Sequence, residues 1–179
     1  MAKTSAGIIL YKTNDKGLLL FLVHPGGPYW VNKDEGAWSI AKGIADPDED
    51  LLVAAIREFE EETGYRLEGD FIQLEPLKQP SRKVIHAWAL AHDLEPTSIK
   101  SNLFLMEWPP KSGKYEEFPE VDRADWFSPE EALRKIHKGQ RGFVEQIIHI
   151  TGYEPSEDHH GSSSGKSRAG GYQKSLFDN

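Results

Sequence analysis

The chain has 179 residues, with 21 Lys and Arg against 29 Asp and Glu, a net charge of −8 with neutral histidine. Its 38% hydrophobic and 28% charged residues suffice for one ordinary globular core and exclude global disorder. The acidic balance argues against a generic nucleic-acid binder, which needs a basic face to displace counterions from phosphates. The absence of cysteine excludes disulfides, zinc–thiolate sites and thiol nucleophiles.

No run approaches the roughly 18 apolar residues of a membrane span. Residues 1–7 pass straight into β-like sequence rather than a signal-peptide core, so a soluble, cytoplasmic protein with no membrane partner is expected. Residues 6–12 and 17–23 are apolar or β-branched runs around Thr13-Asn14-Asp15-Lys16-Gly17, a turn composition that predicts a hairpin or neighbouring strands. His24-Pro25-Gly26-Gly27-Pro28 then breaks regular structure. Its two glycines suit a plain turn better than a backbone cradle for phosphate.

The segment from Gly43 to Tyr65 predicts a helix. Asp46 is read as its cap, Pro47 as its first residue and Glu49 as bonding back to the cap, with Gly64 as the stop. Leu51, Leu52, Ala55, Ile56 and Phe59 fall on one arc, and Glu58, Glu61 and Glu62 lie beside it. Glu58 is three and four residues from the other two, so like charges stack on adjacent turns at about 0.2–0.5 kcal/mol each. They also sit near the helix C-terminus, where the dipole disfavours anions. An acidic face in water is the ordinary explanation of such a run. A hard divalent cation held by the carboxylates, Mg²⁺ where phosphates complete its shell, removes the conflict.

Further strands are predicted at 71–78, 83–92 and 102–108, with a short one at 124–127. Ser128 caps a helix with Pro129 at its first position and Leu133 and Ile136 facing inward; a last helix over 140–150 carries Phe143, Val144, Ile147 and Ile148. Residues 1–151 are read as one domain. From 152 to 179, five Gly and six Ser leave too little apolar surface to offset ordering, which predicts a flexible polar tail.

Gly43, Glu49, Arg57, Glu58, Phe59, Glu61, Glu62, Gly64 and Tyr65 match the pattern G-x5-E-x7-R-E-U-x-E-E-x-G-U without exception. At average residue usage such a match has a chance on the order of 10⁻⁹ per starting position, so coincidence is not an explanation. The sequence thus resembles the Nudix (MutT-like) hydrolases over most of residues 4–150. Trp38-Ser39-Ile40-Ala41-Lys42-Gly43 is similar to the family's W-x-x-P-K-G lead-in, with Ala41 in place of Pro. The resemblance implies an α/β/α sandwich with a mixed sheet and a loop–helix–loop catalytic element. It also implies hydrolysis of a nucleoside diphosphate linked to another group.

By this resemblance Glu58, Glu61 and Glu62 ligate Mg²⁺ or Mn²⁺, with the Gly43 carbonyl as a further ligand, and Arg57 pairs with a box carboxylate. Glu49 is a capping residue, a partner of Arg57, or both. Glu120, in Pro119-Glu120-Val121-Asp122 before Trp126, is the candidate extra ligand or general base, with Glu117 second. An exposed acidic loop explains both equally well. Lys42 is placed to meet a substrate phosphate; Arg82 and Lys83 are weaker candidates because a polar turn accounts for them. Tyr29, Trp30, Trp88 and Trp108 are base-stacking candidates or core residues. The seven histidines show no ligand spacing and are assigned no metal.

Substrate cues conflict. Pro80, 15 positions past Tyr65, resembles the ADP-ribose pyrophosphatases, whereas the Lys42-Gly43 lead-in is closer to polyphosphate-cleaving branches. Nucleoside tri- or dinucleoside polyphosphates are placed ahead of ADP-sugars, and a non-catalytic nucleotide-binding module is disfavoured because every box carboxylate is present. Gln173, Ser175, Leu176 and Phe177 resemble the motif by which bacterial proteins dock on the replication sliding clamp, departing at Lys174.

Overall fold

The computed structural model describes residues 3–155. The sliding-clamp-like residues 173–177 therefore lie outside the described residues, as does most of the tail read from composition. No helix among the described residues is long and apolar enough to cross a membrane.

Strands β1 (Thr4–Asn14) and β2 (Gly17–Pro25) form the expected hairpin. Asn14 pairs with Gly17, the Asn14 side chain accepts from Lys16 N–H at 2.9 Å, and Gly17 takes the left-handed φ of 104° that closes the two-residue turn. Strand β3 (Ala41–Ile44) leads to helix α1 (Leu51–Thr63). Strands β4 (Ile72–Gln73), β5 (Leu77–Lys78) and β6 (Val84–Ala91) follow, then β7 (Leu103–Glu107), β8 (Tyr115–Pro119) and β9 (Val121–Phe127). Helices α2 (Pro129–Lys135) and α3 (Arg141–Thr151) complete the described chain.

The main sheet runs β4-β6-β1-β2-β9, with β3 also on β1 and β5 also on β6; β7 and β8 form a separate ribbon. The pairing of β1 with β6 is parallel and the others are antiparallel, so the sheet is mixed. Alternation along β1 divides the core in two. Ala6, Ile8 and Leu10 pack under α1 with Ala54, Ala55 and Phe59; Ile9 joins Ile136, Phe143, Val144 and Ile147 on the other face. Burying a side chain such as Phe59 contributes about 1.5–3 kcal/mol over leaving it in water. The result is the α/β/α sandwich with a mixed sheet.

Several element boundaries depart from expectation. The helix cap is Asp50, whose carboxylate accepts from Leu52 and Val53 N–H at 3.0 and 3.1 Å. Asp46 and Glu49 instead close their own turn: Glu49 N–H donates to Asp46 O, and Asp46 N–H to the Glu49 carboxylate, both at 3.1 Å. Gly64 stops the helix as expected, at φ 81°, donating to Glu60 O at 2.7 Å. The run 71–78 is two short strands on β6 rather than one. Strands β3 and β8 were not expected, and β9 starts three residues earlier than read. The Ser128 cap of α2 forms, accepting from Glu131 N–H at 3.2 Å.

Candidate active site

Pairing places the box against the sheet. Gly43 lies opposite Ala6, and α1 crosses above. A Cβ on Gly43 would sit 1.9 Å from Glu58 Oε2, so glycine is required for the Glu58 carboxylate to press on β3. Glu58 is 9% exposed, one of few charged residues in the core.

Arg57 organises the acids. Its Nε and Nη2 donate to the two oxygens of Glu49, each at 2.8 Å; its Nη1 donates to Glu58 Oε1 at 2.8 Å and Glu61 Oε1 at 3.2 Å. Nη2 also reaches the Ile44 carbonyl at 3.3 Å. This bidentate pairing holds the Glu49 carboxyl down at about 2, helped by the bond from Asp46 N–H. Glu49 thus closes a turn and partners Arg57 at once, and Arg57 is a positioning residue.

Glu62 turns away from Arg57 and accepts from Lys42 N–H at 3.2 Å. Burial pushes its carboxyl up to about 8, against the pull of Lys42 and with the help of Glu58 and Glu120. Glu58 is raised chiefly by burial despite Arg57, and Glu120 by burial and then by Glu61 and Glu58. Glu120 is therefore brought to the helix acids across 58 residues of chain. Glu117 is not: it is exposed on β8 opposite Leu105. Glu120 is seated by its backbone, donating to Asn102 O and accepting from Gly26 N–H, both at 2.9 Å. A Cβ on Gly26 would fall 1.9 Å from Pro119 O, so this glycine serves close strand approach, and the turn begins after it, with Trp30 N–H donating to Gly27 O at 3.2 Å.

A cleft of about 510 Å³ opens beside these acids, lined among others by Trp30, Lys42, Glu62, Pro80, Lys83 and Glu120. Lys42 and Lys83 thus meet at the cleft. Arg82 does not line it: it is exposed on the preceding turn, at φ 64°. Of the aromatic candidates Trp30 reaches the cleft, Trp88 is core, and Tyr29 stacks edge-on against Trp108 at 5.4 Å.

Two supports escaped the sequence reading. His24 is fully buried; its Nε2 donates to Lys33 O at 2.6 Å and its Nδ1 faces Asp122 Oδ1 at 2.8 Å, tying the 26–39 loop to β9 beside Glu120. Gln140 is 4% exposed; its Oε1 accepts from Ile40 N–H and its Nε2 donates to Ser39 Oγ, both at 3.0 Å, securing the lead-in to Lys42 from the third layer. Neither residue carries a local pattern, because Asp122 lies 98 positions from His24 and Ile40 100 positions from Gln140.

Among the described residues no three His, Asp or Glu side chains are already gathered as a metal cage. Arg57 holds Glu58 and Glu61, while Glu62 rests on Lys42 N–H. The donor set nonetheless suits a hard cation: oxygen ligands only, crowded enough to raise one another, with the Gly43 backbone against Glu58.

The raised acids have a measurable consequence. A carboxyl held at about 8 when folded and near 4.5 when unfolded binds its proton more tightly in the native state. Its stabilising contribution is complete below pH 4.5 and is lost as pH rises through 8. Glu58 and Glu120 act in the same direction; Glu49 acts oppositely, but only between about 2 and 4.5. The metal-free protein is therefore expected to melt at falling temperature from pH 5 to 8, and added Mg²⁺ should raise the melting point more at pH 8 than at pH 6. Melts that rise with pH over that window would contradict the assignment.

A glutamate-rich helix on a mixed sheet thus lies beside a lysine-flanked cleft. The NUDIX domain model matches residues 1–147, and the chain belongs to the Nudix family. The structure is similar to the NUDIX domain of Shewanella oneidensis NrtR complexed with ADP ribose (15% identity, TM-score 0.59, covering 84% of this chain and 89% of that one). It is also similar to a C. elegans Ap4A hydrolase binary complex (21%, TM-score 0.57, 83% and 99%) and a MutT/nudix family protein from Listeria innocua (17%, TM-score 0.56, 84% and 94%). At such identities the likeness is one of fold. No curated protein matches the sequence.

Proposed function

We propose that the chain is a Mg²⁺- or Mn²⁺-dependent hydrolase of nucleoside tri- or dinucleoside polyphosphates. The observation that carries this reading is the meeting of Glu62 and Glu120, with Glu58 close enough to raise both, at a cleft that Lys42 and Lys83 also line. Glu58, Glu61 and Glu62 would hold the ion, with the Gly43 carbonyl as a further ligand. When bound, the ion neutralises phosphate charge and lowers the pKa of its water.

The chain's own residues supply the rest. Lys42 and Lys83 draw the phosphates into the cleft, and Trp30 offers a ring face to a base. Arg57 holds Glu58 and Glu61 together on α1. Glu120, half-buried with its carboxyl raised, accepts the proton of the attacking water. Pro80 lines the same cleft and favours ADP-ribose as the second reading. A Mg²⁺-dependent release assay over NTPs, Ap4A, ADP-ribose and NADH is expected to give the highest kcat/KM with an NTP or Ap4A. No turnover of any member would overturn the hydrolase, and a clear preference for ADP-ribose would overturn the substrate order.

A further inference from the structure

The β7–β8 ribbon carries an open edge. Asn102 O accepts from Glu120 N–H and Trp108 N–H donates to Lys114 O, both at 2.9 Å, so the even-numbered residues of β7 bond to β8. The backbone groups of Leu103, Leu105 and Glu107 therefore point the other way, and β8 is the sole strand paired with β7 among the described residues. The side chains alternate too. Phe104 lies against Phe118, with ring centroids 6.2 Å apart, and reaches Gly27. On the other face Leu103 and Leu105 are 58% and 67% exposed, with Tyr115 beside them at 67%.

Edge strands are ordinarily blunted by lysine, proline, a bulge or a covering segment. Leu103 to Met106 contains neither charge nor proline, and its register with β8 runs without a bulge. A row of free N–H and C=O groups beside an exposed apolar face fits an added strand. Charge selects which one. The ribbon strands carry Glu107, Glu116 and Glu117 and no basic residue. A second copy paired edge to edge would bring three more acids, between chains of net charge −8. The edge therefore suits a strand with a lysine and no acid.

We propose that residues 172–177 of the same chain, Tyr172-Gln173-Lys174-Ser175-Leu176-Phe177, add to the free edge of β7 as a third strand of the ribbon. In the antiparallel register that sets Lys174 opposite Glu107, Leu176 falls opposite Leu105 and Phe177 opposite Phe104. An ion pair, an aliphatic pair and an aromatic pair then form together. The same register lets Leu105 and Glu107 exchange both backbone hydrogen bonds with the added strand. Residues 156–171 span up to about 55 Å when extended, ample for a domain with a radius of gyration of about 15 Å. The foot of the ribbon bears on the candidate acids: Asn102 N–H donates to Glu61 O at 2.8 Å, and Asn102 O accepts from Glu120 N–H. A third strand thus steadies the segment that seats Glu120.

The test is amide hydrogen exchange of the full chain, resolved to single residues by NMR. The Leu105 and Glu107 amides are expected to exchange at least about tenfold more slowly in the parent than in the double variant L176A/F177A. Leu176→Pro, which removes the N–H that would bond to Leu105 O, should free them equally. The Phe104 and Met106 amides, already bonded to β8, serve as the internal reference and should stay slow in all three proteins. Both variants change residues outside 3–155, so every side chain of the described fold is kept. Leu105 and Glu107 amides that exchange freely in the parent would overturn the proposal, as would protection indifferent to both variants. Protection that rises with protein concentration would give the edge to a second copy and overturn it as well.

Discussion

Replacing Glu62 by Gln is expected to lower kcat/KM by at least about 10²-fold without loss of the fold. Glutamine keeps an oxygen to accept from Lys42 N–H, so the backbone contact at 3.2 Å survives. It removes a carboxylate whose ionisation burial opposes, so the metal-free variant should melt no lower than the parent and, near pH 8, higher. The variant thus separates activity from stability, which move in opposite directions. The same exchange at Glu61 should also cost orders of magnitude in rate. Turnover retained in both variants would remove the carboxylates from the chemistry.

Gly43→Ala is expected to damage the site by steric means alone. The added methyl would meet three Glu58 atoms, Oε2, Cδ and Oε1, at 1.9, 2.0 and 2.4 Å. The backbone of Gly43 cannot retreat, because it is paired with Ala6 inside the sheet. Glu58 must therefore move and give up its bond to Arg57. Overpacking of this kind costs about 1–3 kcal/mol, several degrees in melting temperature for a chain of this size. Displacement of a proposed ligand should lower kcat/KM by about 10²-fold or more. An alanine variant with normal melting and normal turnover would show that Glu58 need not lie against β3.

The acidic helix was legible because its signals are local and redundant: apolar spacing, a terminal glycine and a nine-position pattern all fall within 23 residues. The start of the helix was not, since Asp46, Asp48 and Asp50 can each cap and only the observed bonds choose Asp50. Glu120 could be nominated from its acidic neighbourhood, whereas Glu117, three residues away, could not be separated from it. Which of them faces the cleft depends on where β8 ends, and Tyr115-Glu116-Glu117-Phe118-Pro119 lacks the alternation of a strand with one buried side. Strand β3 is four residues with a central glycine and owes its form to pairing with β1. His24 and Gln140 act on partners about 100 positions away, and no spacing rule reaches that far.

Arg57 answers to three glutamates with a single guanidinium. Loss of Glu49 would free half of the arginine's fork, and loss of Arg57 would leave three acids to repel one another in a confined space. No member of the group can shift by itself without leaving a charge unpaired, so the four side chains keep their places as one unit, and a substitution at any of them is felt at the other three.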